Sequence, residues 1–242
     1  MVLPLGDDDS LRRTRPYVTY ALIAANALVW FLQLSQGEHF TNGYSTVPYE
    51  ITHGVDLQGV YDIRAGGEVF QIPLYPGPHP IYLTLLTSMF MHGSWMHILG
   101  NMLYLWIFGD NIEDLLGHWK YLVFYLVCGI AASLAQVFWG PDSRIPSLGA
   151  SGAIAGVLGA YLIKFPKNRV RVLMFRVVTS MPAIFVLGLW ILLQVVSQVG
   201  SPAGEASGVA YMAHIGGFAA GVVLILLLAR SSGRAGPTFS SS

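Results

Sequence analysis

Long runs of apolar residues recur along the chain, and they constrain its fold more than any other feature. No Asp or Glu occurs between Asp142 and Glu205, a gap too long for a water-facing surface. Hydrophobic residues make up 54% of the chain and charged residues only 11%, whereas about 25% of residues are charged in typical soluble proteins. The sequence therefore predicts a protein that crosses the lipid bilayer several times.

Six segments are candidate transmembrane helices, because a helix of about 20 apolar residues pairs its own backbone groups across a hydrocarbon core of about 30 Å. These segments are 17–35, 83–108, 119–139, 150–165, 181–199 and 209–229. Short connections join them, except for the long loop 36–80. We therefore expect an all-α membrane protein whose six transmembrane helices form one bundle.

The chain divides into three regions on this basis. Residues 1–16 form an N-terminal segment, 17–230 form the six-helix domain with loop 36–80 inserted, and 231–242 form a tail. The tail is rich in Ser and Gly, so we expect it to be disordered. Within the long loop, the alternation around Glu68–Leu74 fits either a strand or a segment lying at the membrane interface.

The basic residues predict how the chain is oriented in the membrane. Of its 13 Lys and Arg residues, only Arg64 and Arg144 fall on the side of loop 36–80. Because cytoplasmic segments carry the excess of Lys and Arg, we expect both termini to be cytoplasmic in a cell-membrane protein and the loop to be external. The 13 basic residues balance 13 acidic ones, so no net charge favours nucleic acid as a partner.

Polar residues inside a membrane are costly and often functional. Apart from Lys120 and Lys164 near their ends, the six segments contain no Asp, Glu, Lys or Arg, which excludes aspartyl catalysis and a Ser–Lys dyad. The single Cys128 excludes a disulfide framework or a cysteine-built metal site, and no HExxH motif occurs, so we expect neither metal nor cofactor. The polar residues that remain as candidates are His92, His97, Asn101, Ser151 and His214.

Three of these candidates are predicted to lie at one depth. Counting about 1.5 Å per residue from the inner ends of their segments places Ser151 and His97 about 20 Å, and His214 about 24 Å, from the inner edge. That level is about 5–10 Å below the outer edge of the core. A serine and two histidines from three segments can therefore meet in a pocket that opens to the extracytoplasmic side.

Ser151 begins its segment soon after the helix-breaking Pro141 and Pro146. The N–H groups in the first turn of a helix have no intrahelical acceptor and carry the positive end of the helix dipole. Such groups stabilise the negative charge of a tetrahedral intermediate. Gly149 and Gly152 flank this position without side chains that would block a substrate backbone.

His214 is the residue at this depth that is suited to accept the serine proton near neutral pH. His97 and Asn101 are four residues apart, on one helical face, and offer donors for an oxyanion. Structural interpretations remain open, because small residues and histidines in membrane helices often pack against or bond neighbouring helices. On these structural interpretations, His92 would form a hydrogen bond to the loop. Gly217 and Gly221 would pack the sixth segment against the fourth.

Four stretches resemble the rhomboid intramembrane serine proteases of prokaryotic type. They are His92–Asn101 (HGSWMHILGN), Ile112–Gly117 (IEDLLG), Gly149–Gly152 (GASG) and Ala213–Gly217 (AHIGG), the last continuing to Gly221. The stretches occur in the family's order and cover the region from about 85 to 230. The resemblance implies the six-helix rhomboid bundle.

The resemblance also implies roles for the candidate residues. Ser151 would be the nucleophile and His214 the general base and acid, while His97, Asn101 and the Ser151 N–H would bind the oxyanion. The substrates would be transmembrane helices of other proteins, cut near their outer ends. The fifth span and loop 200–208 would resemble the family's substrate gate, and the glycines of that loop predict mobility.

The chain departs from the family pattern at two places. Loop 36–80 lacks the Trp of the Trp–Arg pair that many members carry, and Ala155 replaces an aromatic residue that in some members packs on the catalytic histidine. A non-proteolytic rhomboid-like protein that binds or escorts membrane proteins is therefore an alternative. A transporter with a histidine relay is disfavoured, since the chain lacks intramembrane carboxylates and repeated halves.

Overall fold

The structure is a computed structural model that describes residues 2–8, 10, 12–65, 68–200 and 209–231. The predicted mobility of residues 201–208 and the predicted disorder beyond Ser231 lie outside these residues. The helices are α1 (Tyr17–Gln36), α2 (Glu38–Gly43), α3 (Pro48–His53), α4 (Thr84–Thr87), α5 (Trp95–Leu116), α6 (His118–Trp139), α7 (Ser151–Lys164), α8 (Ala183–Val199) and α9 (Tyr211–Ser231). The strands are β1 (Val2–Gly6), β2 (Gly59–Ala65), β3 (Glu68–Leu74), β4 (Arg169–Met174) and β5 (Val177–Pro182).

The described part of the chain is mostly helical, and five of the six predicted spans coincide with α1, α6, α7, α8 and α9 to within a few residues. Among the described residues, three helices are long and apolar enough to cross a membrane, namely Tyr17–Gln36, His118–Trp139 and Tyr211–Leu228. The segments Ile81–Phe90, Ser151–Lys164 and Ala183–Val199 form shorter apolar helices. The structure is thus a bundle of apolar helices of unequal length.

The predicted second span, 83–108, is wrong in its boundaries. Short helical turns end at Phe90, and α5 begins only at Trp95. Ser94 causes this start, since its side chain accepts a hydrogen bond of 3.2 Å from the His97 N–H and so caps the new helix. The break places His92 in a non-helical connection rather than in a span.

Helix α5 also continues beyond the predicted end at residue 108, and the added part contains two buried carboxylates. Glu113 accepts hydrogen bonds of 2.7 Å from both the N–H and the hydroxyl of Thr19, and Asp110 pairs with Arg12. Buried carboxylates are tolerated where such partners replace water. Because the partners belong to the N-terminal segment and α1, the sequence of α5 alone could not indicate this extension.

The prediction of an all-α chain is wrong outside the apolar runs, where two small sheets occur. Strands β1, β4 and β5 form an antiparallel sheet in that order, and β2 pairs with β3 as a hairpin. The alternation around Glu68–Leu74 is therefore a strand. In β4, buried Val170 and Val172 alternate with exposed Arg169 and Arg171, a period of two that was present in the sequence.

Helix α7 forms the centre of the bundle, and every residue from Gly152 to Tyr161 is buried. Helix α9 approaches it closely: a side-chain carbon added at Gly217 would lie 2.0 Å from the Gly152 carbonyl oxygen, and one at Gly221 would lie 2.0 Å from that of Gly156. The predicted packing of the last span against the fourth through these glycines is confirmed. This contact sets the distance between the elements that carry Ser151 and His214.

Two sets of connections lie at opposite ends of α7. At the end where α7 begins, Thr46 of the long loop and Ser147 exchange backbone hydrogen bonds of 3.0 and 2.8 Å. At the end where α7 finishes, β1 of the N-terminal segment pairs with β4 of the connection between α7 and α8. The long loop therefore covers the end of the bundle that contains Ser151.

Candidate active site

Ser151 is the first residue of α7, and the backbone in front of it is held in a conformation that requires glycine. Gly149 has a φ of +130°, and its N–H donates to the Ser88 carbonyl oxygen at 2.9 Å. A side-chain carbon added at Gly149 would lie 2.8 Å from two atoms of the His97 ring. Gly149 is therefore needed both for the turn and for the close approach of His97.

The Ser151 hydroxyl and the His214 ring are in direct contact. Their Oγ and Nε2 atoms are 2.8 Å apart, although 63 residues separate them in the chain. This distance is within the range required for proton transfer between a nucleophile and its base. The pair bridges α7 and α9, the two helices that pack through Gly152 and Gly217.

Two residues of α8 contact the other side of the His214 ring. Nδ1 of His214 lies 2.7 Å from Oε1 of Gln194, and the Trp190 ring lies 5.7 Å from the imidazole, centroid to centroid, at 38°. Sequence analysis assigned no catalytic role to either residue. The signal that the sequence offered for this pair was the amide of Gln194, four residues after Trp190 in an apolar segment.

His92 and Asn101 form a second polar pair near the serine. The Asn101 amide nitrogen lies 3.0 Å from Nε2 of His92, and both side chains are buried. Gln33 of α1, another residue that sequence analysis missed, bonds both the N–H and the carbonyl oxygen of His92 at 2.9 and 3.0 Å. The His92 ring thus contacts Asn101 of α5, and its backbone bonds Gln33 of α1 rather than the long loop.

Four of the five polar candidates line one cavity of about 740 Å³. Ser151, His214, His97 and Asn101 all contribute to its wall, together with Trp190. The structure therefore brings together the four residues for which the sequence predicted a shared depth or face. His92 lies behind Asn101, and Gly149, Gly152 and Gly217 act through the backbone contacts described above.

The fold and this site are those of a helical membrane protein with a serine and a histidine in contact at a cavity. A family model for the rhomboid domain matches residues 80–231, which is more than half of the chain. The chain belongs to the rhomboid family.

Curated relatives agree with this assignment. The chain is 34% identical over 152 residues to the mitochondrial Rhomboid protein 1 of Saccharomyces cerevisiae, covering 58% of this chain and 40% of the relative. It is 32% identical over 155 residues to Rhomboid protease GluP of Bacillus subtilis, covering 64% and 26%. It is 36% identical over 99 residues to the mitochondrial Presenilin-associated rhomboid-like protein A of Danio rerio, covering 40% and 26%. The chain thus spans less than half the length of these three relatives.

Proposed function

We propose that this chain is an intramembrane serine endopeptidase that hydrolyses peptide bonds in or near transmembrane segments of other membrane proteins. The contact of 2.8 Å between Ser151 Oγ and His214 Nε2 carries this proposal. Membership of the rhomboid family and the similarity to a bacterial rhomboid protease support it. The cavity supports it as well, since hydrolysis requires that substrate and water reach the serine.

The reaction follows from the positions of these atoms. Nε2 of His214 takes the hydroxyl proton while Ser151 Oγ attacks the carbonyl carbon of the scissile peptide bond. The tetrahedral intermediate collapses when the imidazolium returns the proton to the leaving amine, which leaves an acyl-enzyme. A water molecule, deprotonated by the same imidazole, then hydrolyses the ester and frees Ser151.

The oxyanion of the intermediate would be bound where α7 begins. The N–H of Ser151 belongs to the first turn, where backbone donors have no intrahelical acceptor. Asn101 has two amide hydrogens, so one remains available beside the contact with His92. His97 lines the same cavity and is the further donor in this proposal.

We also propose six spans, formed by α1, α5, α6, α7, α8 and α9, with both termini in the cytoplasm. The pairing of β1 with β4 supports this topology, because it joins the N-terminal segment to the basic connection between α7 and α8. We propose the same division of the chain into 1–16, 17–230 and 231–242, with the first and last regions in the cytoplasm. The site would then open to the extracytoplasmic side of the cell membrane, below loop 36–80.

Substitution of the two reacting groups tests the activity. We expect Ser151→Ala and His214→Ala each to abolish cleavage of a transmembrane substrate in reconstituted vesicles while leaving the thermal stability near that of the wild type. Ser35→Ala, which removes an exposed hydroxyl at the end of α1, is the matched control and should cleave normally. Cleavage by the Ser151→Ala protein would disprove the assignment.

Labelling with a fluorophosphonate separates the protease from the alternative, a non-proteolytic protein that binds or escorts membrane proteins. Only an activated serine reacts with this reagent, so the wild type should be labelled and Ser151→Ala should not. A folded wild-type protein that is neither labelled nor able to cleave would favour the escort function.

A further inference from the structure

One face of α8 is directed at the proposed base. Leu187, Trp190, Gln194 and Gln198 follow one another at spacings of three and four residues and therefore share a helical face. Leu187 and Gln198 are buried, whereas Leu192, Leu193, Val195 and Val196 on the other faces are exposed. Trp190 and Gln194 thus belong to the inward stripe, and both contact the His214 ring.

The two hydrogen bonds of His214 require one tautomer. Nε2 must be unprotonated to take the proton of Ser151, so the neutral ring carries its hydrogen on Nδ1. Nδ1 faces the Gln194 carbonyl oxygen at 2.7 Å, and an amide oxygen can only accept. With its hydrogen on Nε2, the ring would present a lone pair to that oxygen and could not accept the serine proton.

Ala155 on α7 does not provide a substitute for the contact between Gln194 and His214. Ala155, one turn after Ser151, is fully buried and has only a methyl group. It offers neither a hydrogen-bond acceptor nor a ring to the imidazole. The ring that covers His214 is Trp190, which comes from α8.

We propose that Gln194 is a positioning residue that holds His214 in the Nδ1–H tautomer, so that α8 orients the base for the Ser151 hydroxyl. This inference rests on the proposed function for its catalytic consequence. It links the dyad to the position of α8, because movement of α8 away from α9 separates Oε1 from Nδ1. The serine and histidine then keep their helices but lose the group that fixes the ring.

Kinetics of paired substitutions test the role of the acceptor. Gln194→Leu removes the acceptor, and we expect kcat to fall about 10- to 100-fold, the effect of losing one hydrogen bond to a group that becomes charged. KM should not change, because the contact acts on the chemical step. Gln194→Glu keeps an acceptor of equal reach and should retain more activity, and Val195→Ala on an exposed face of α8 is the matched control.

The tautomer itself can be observed without a substrate. In protein labelled with ¹⁵N-histidine, the seven histidines are resolved by their ring nitrogens, and His214→Ala identifies the signals of His214. We expect the Nδ1–H form in the wild type and in Gln194→Glu, and a mixture of tautomers in Gln194→Leu. Gln194→Met, which preserves side-chain length, replaces Gln194→Leu if that variant does not fold.

The two proposals can fail separately. If Ser151→Ala abolishes cleavage but Gln194→Leu keeps the wild-type kcat and the Nδ1–H tautomer, the positioning role is overturned and the protease remains. If the wild type cleaves nothing while Gln194→Leu still changes the tautomer, the positioning of the ring stands and the proposed function fails.

Discussion

Asn101 bonds His92 and also lines the cavity that contains Ser151. Its amide nitrogen lies 3.0 Å from the His92 ring. We expect Asn101→Ala to lower kcat by about 10²–10³, the usual effect of losing one oxyanion donor, with KM unchanged. Asn26→Ala is the control, since it removes a buried amide of α1 that donates to the Leu22 carbonyl oxygen of its own helix. Wild-type kcat in the Asn101→Ala protein would contradict the oxyanion role.

Glu50 in the long loop gives a prediction for pH. Its side chain is buried, with 3% of the residue exposed, and this burial raises the pKa of Glu50 from 4.5 to about 7. The hydrogen bond from the Leu57 N–H opposes the shift, and the nearby Asp56 carboxylate adds to it. The folded protein therefore holds a proton between about pH 4.5 and 7 that the unfolded chain has lost.

The sign of the effect follows from this difference. The contribution of Glu50 to the free energy of unfolding should be highest at and below about pH 4.5. It should fall by up to about 3 kcal/mol as the pH rises to 7. Thermal unfolding in detergent at pH 5 and pH 8 measures the change. Glu50→Gln should lose less stability between these values than the wild type, whereas Glu38→Gln, at an exposed position, should behave like the wild type. An equal loss in all three proteins would refute the prediction.

Helices α7 and α9 depend on glycines for their close contact. A side-chain carbon at Gly221 would lie 2.0 Å from the Gly156 carbonyl oxygen, while one at Gly188 in α8 would meet nothing within 4 Å. We expect Gly221→Ala to destabilise the protein by about 1–3 kcal/mol, the usual cost of overpacking, and to lower activity because α9 carries His214. Gly188→Ala should leave both unchanged, and thermal unfolding and cleavage assays measure the pair. Equal stability of the two variants would show that α9 can shift without cost.

The boundaries of the elements show where local sequence is sufficient. Helices α1, α6 and α9 follow from apolar length, because hydrophobic burial in lipid is a property of the segment itself. The start of α5 at Trp95 depends instead on the Ser94 cap, and its end depends on partners of Asp110 and Glu113 in distant parts of the chain. A hydropathy scale scores each residue by its own polarity and takes no account of partners elsewhere in the chain.

The proposed topology of the whole molecule can be tested by labelling. Cys128, the single cysteine, is buried, and Cys128→Ser supplies a background without thiols. In intact cells we expect an impermeant thiol reagent to label Gln58→Cys in the long loop. Lys167→Cys, between α7 and β4, should be labelled only after the membrane is permeabilised. Both positions are exposed in the structure, so the difference reports sidedness. Labelling of both in intact cells would refute the topology.

The sequence by itself determined the membrane class, most of the helices, the rhomboid resemblance and the candidates Ser151, His214, His97 and Asn101. These depend on residue type, spacing and depth, which are properties that can be read along a single chain. Tertiary structure alone decided that Oγ of Ser151 meets Nε2 of His214 and that Gln194 meets Nδ1. It also placed Gln33 at the backbone of His92. Such contacts depend on how each helix is rotated about its axis, and that rotation is set by packing between segments that are distant in the chain.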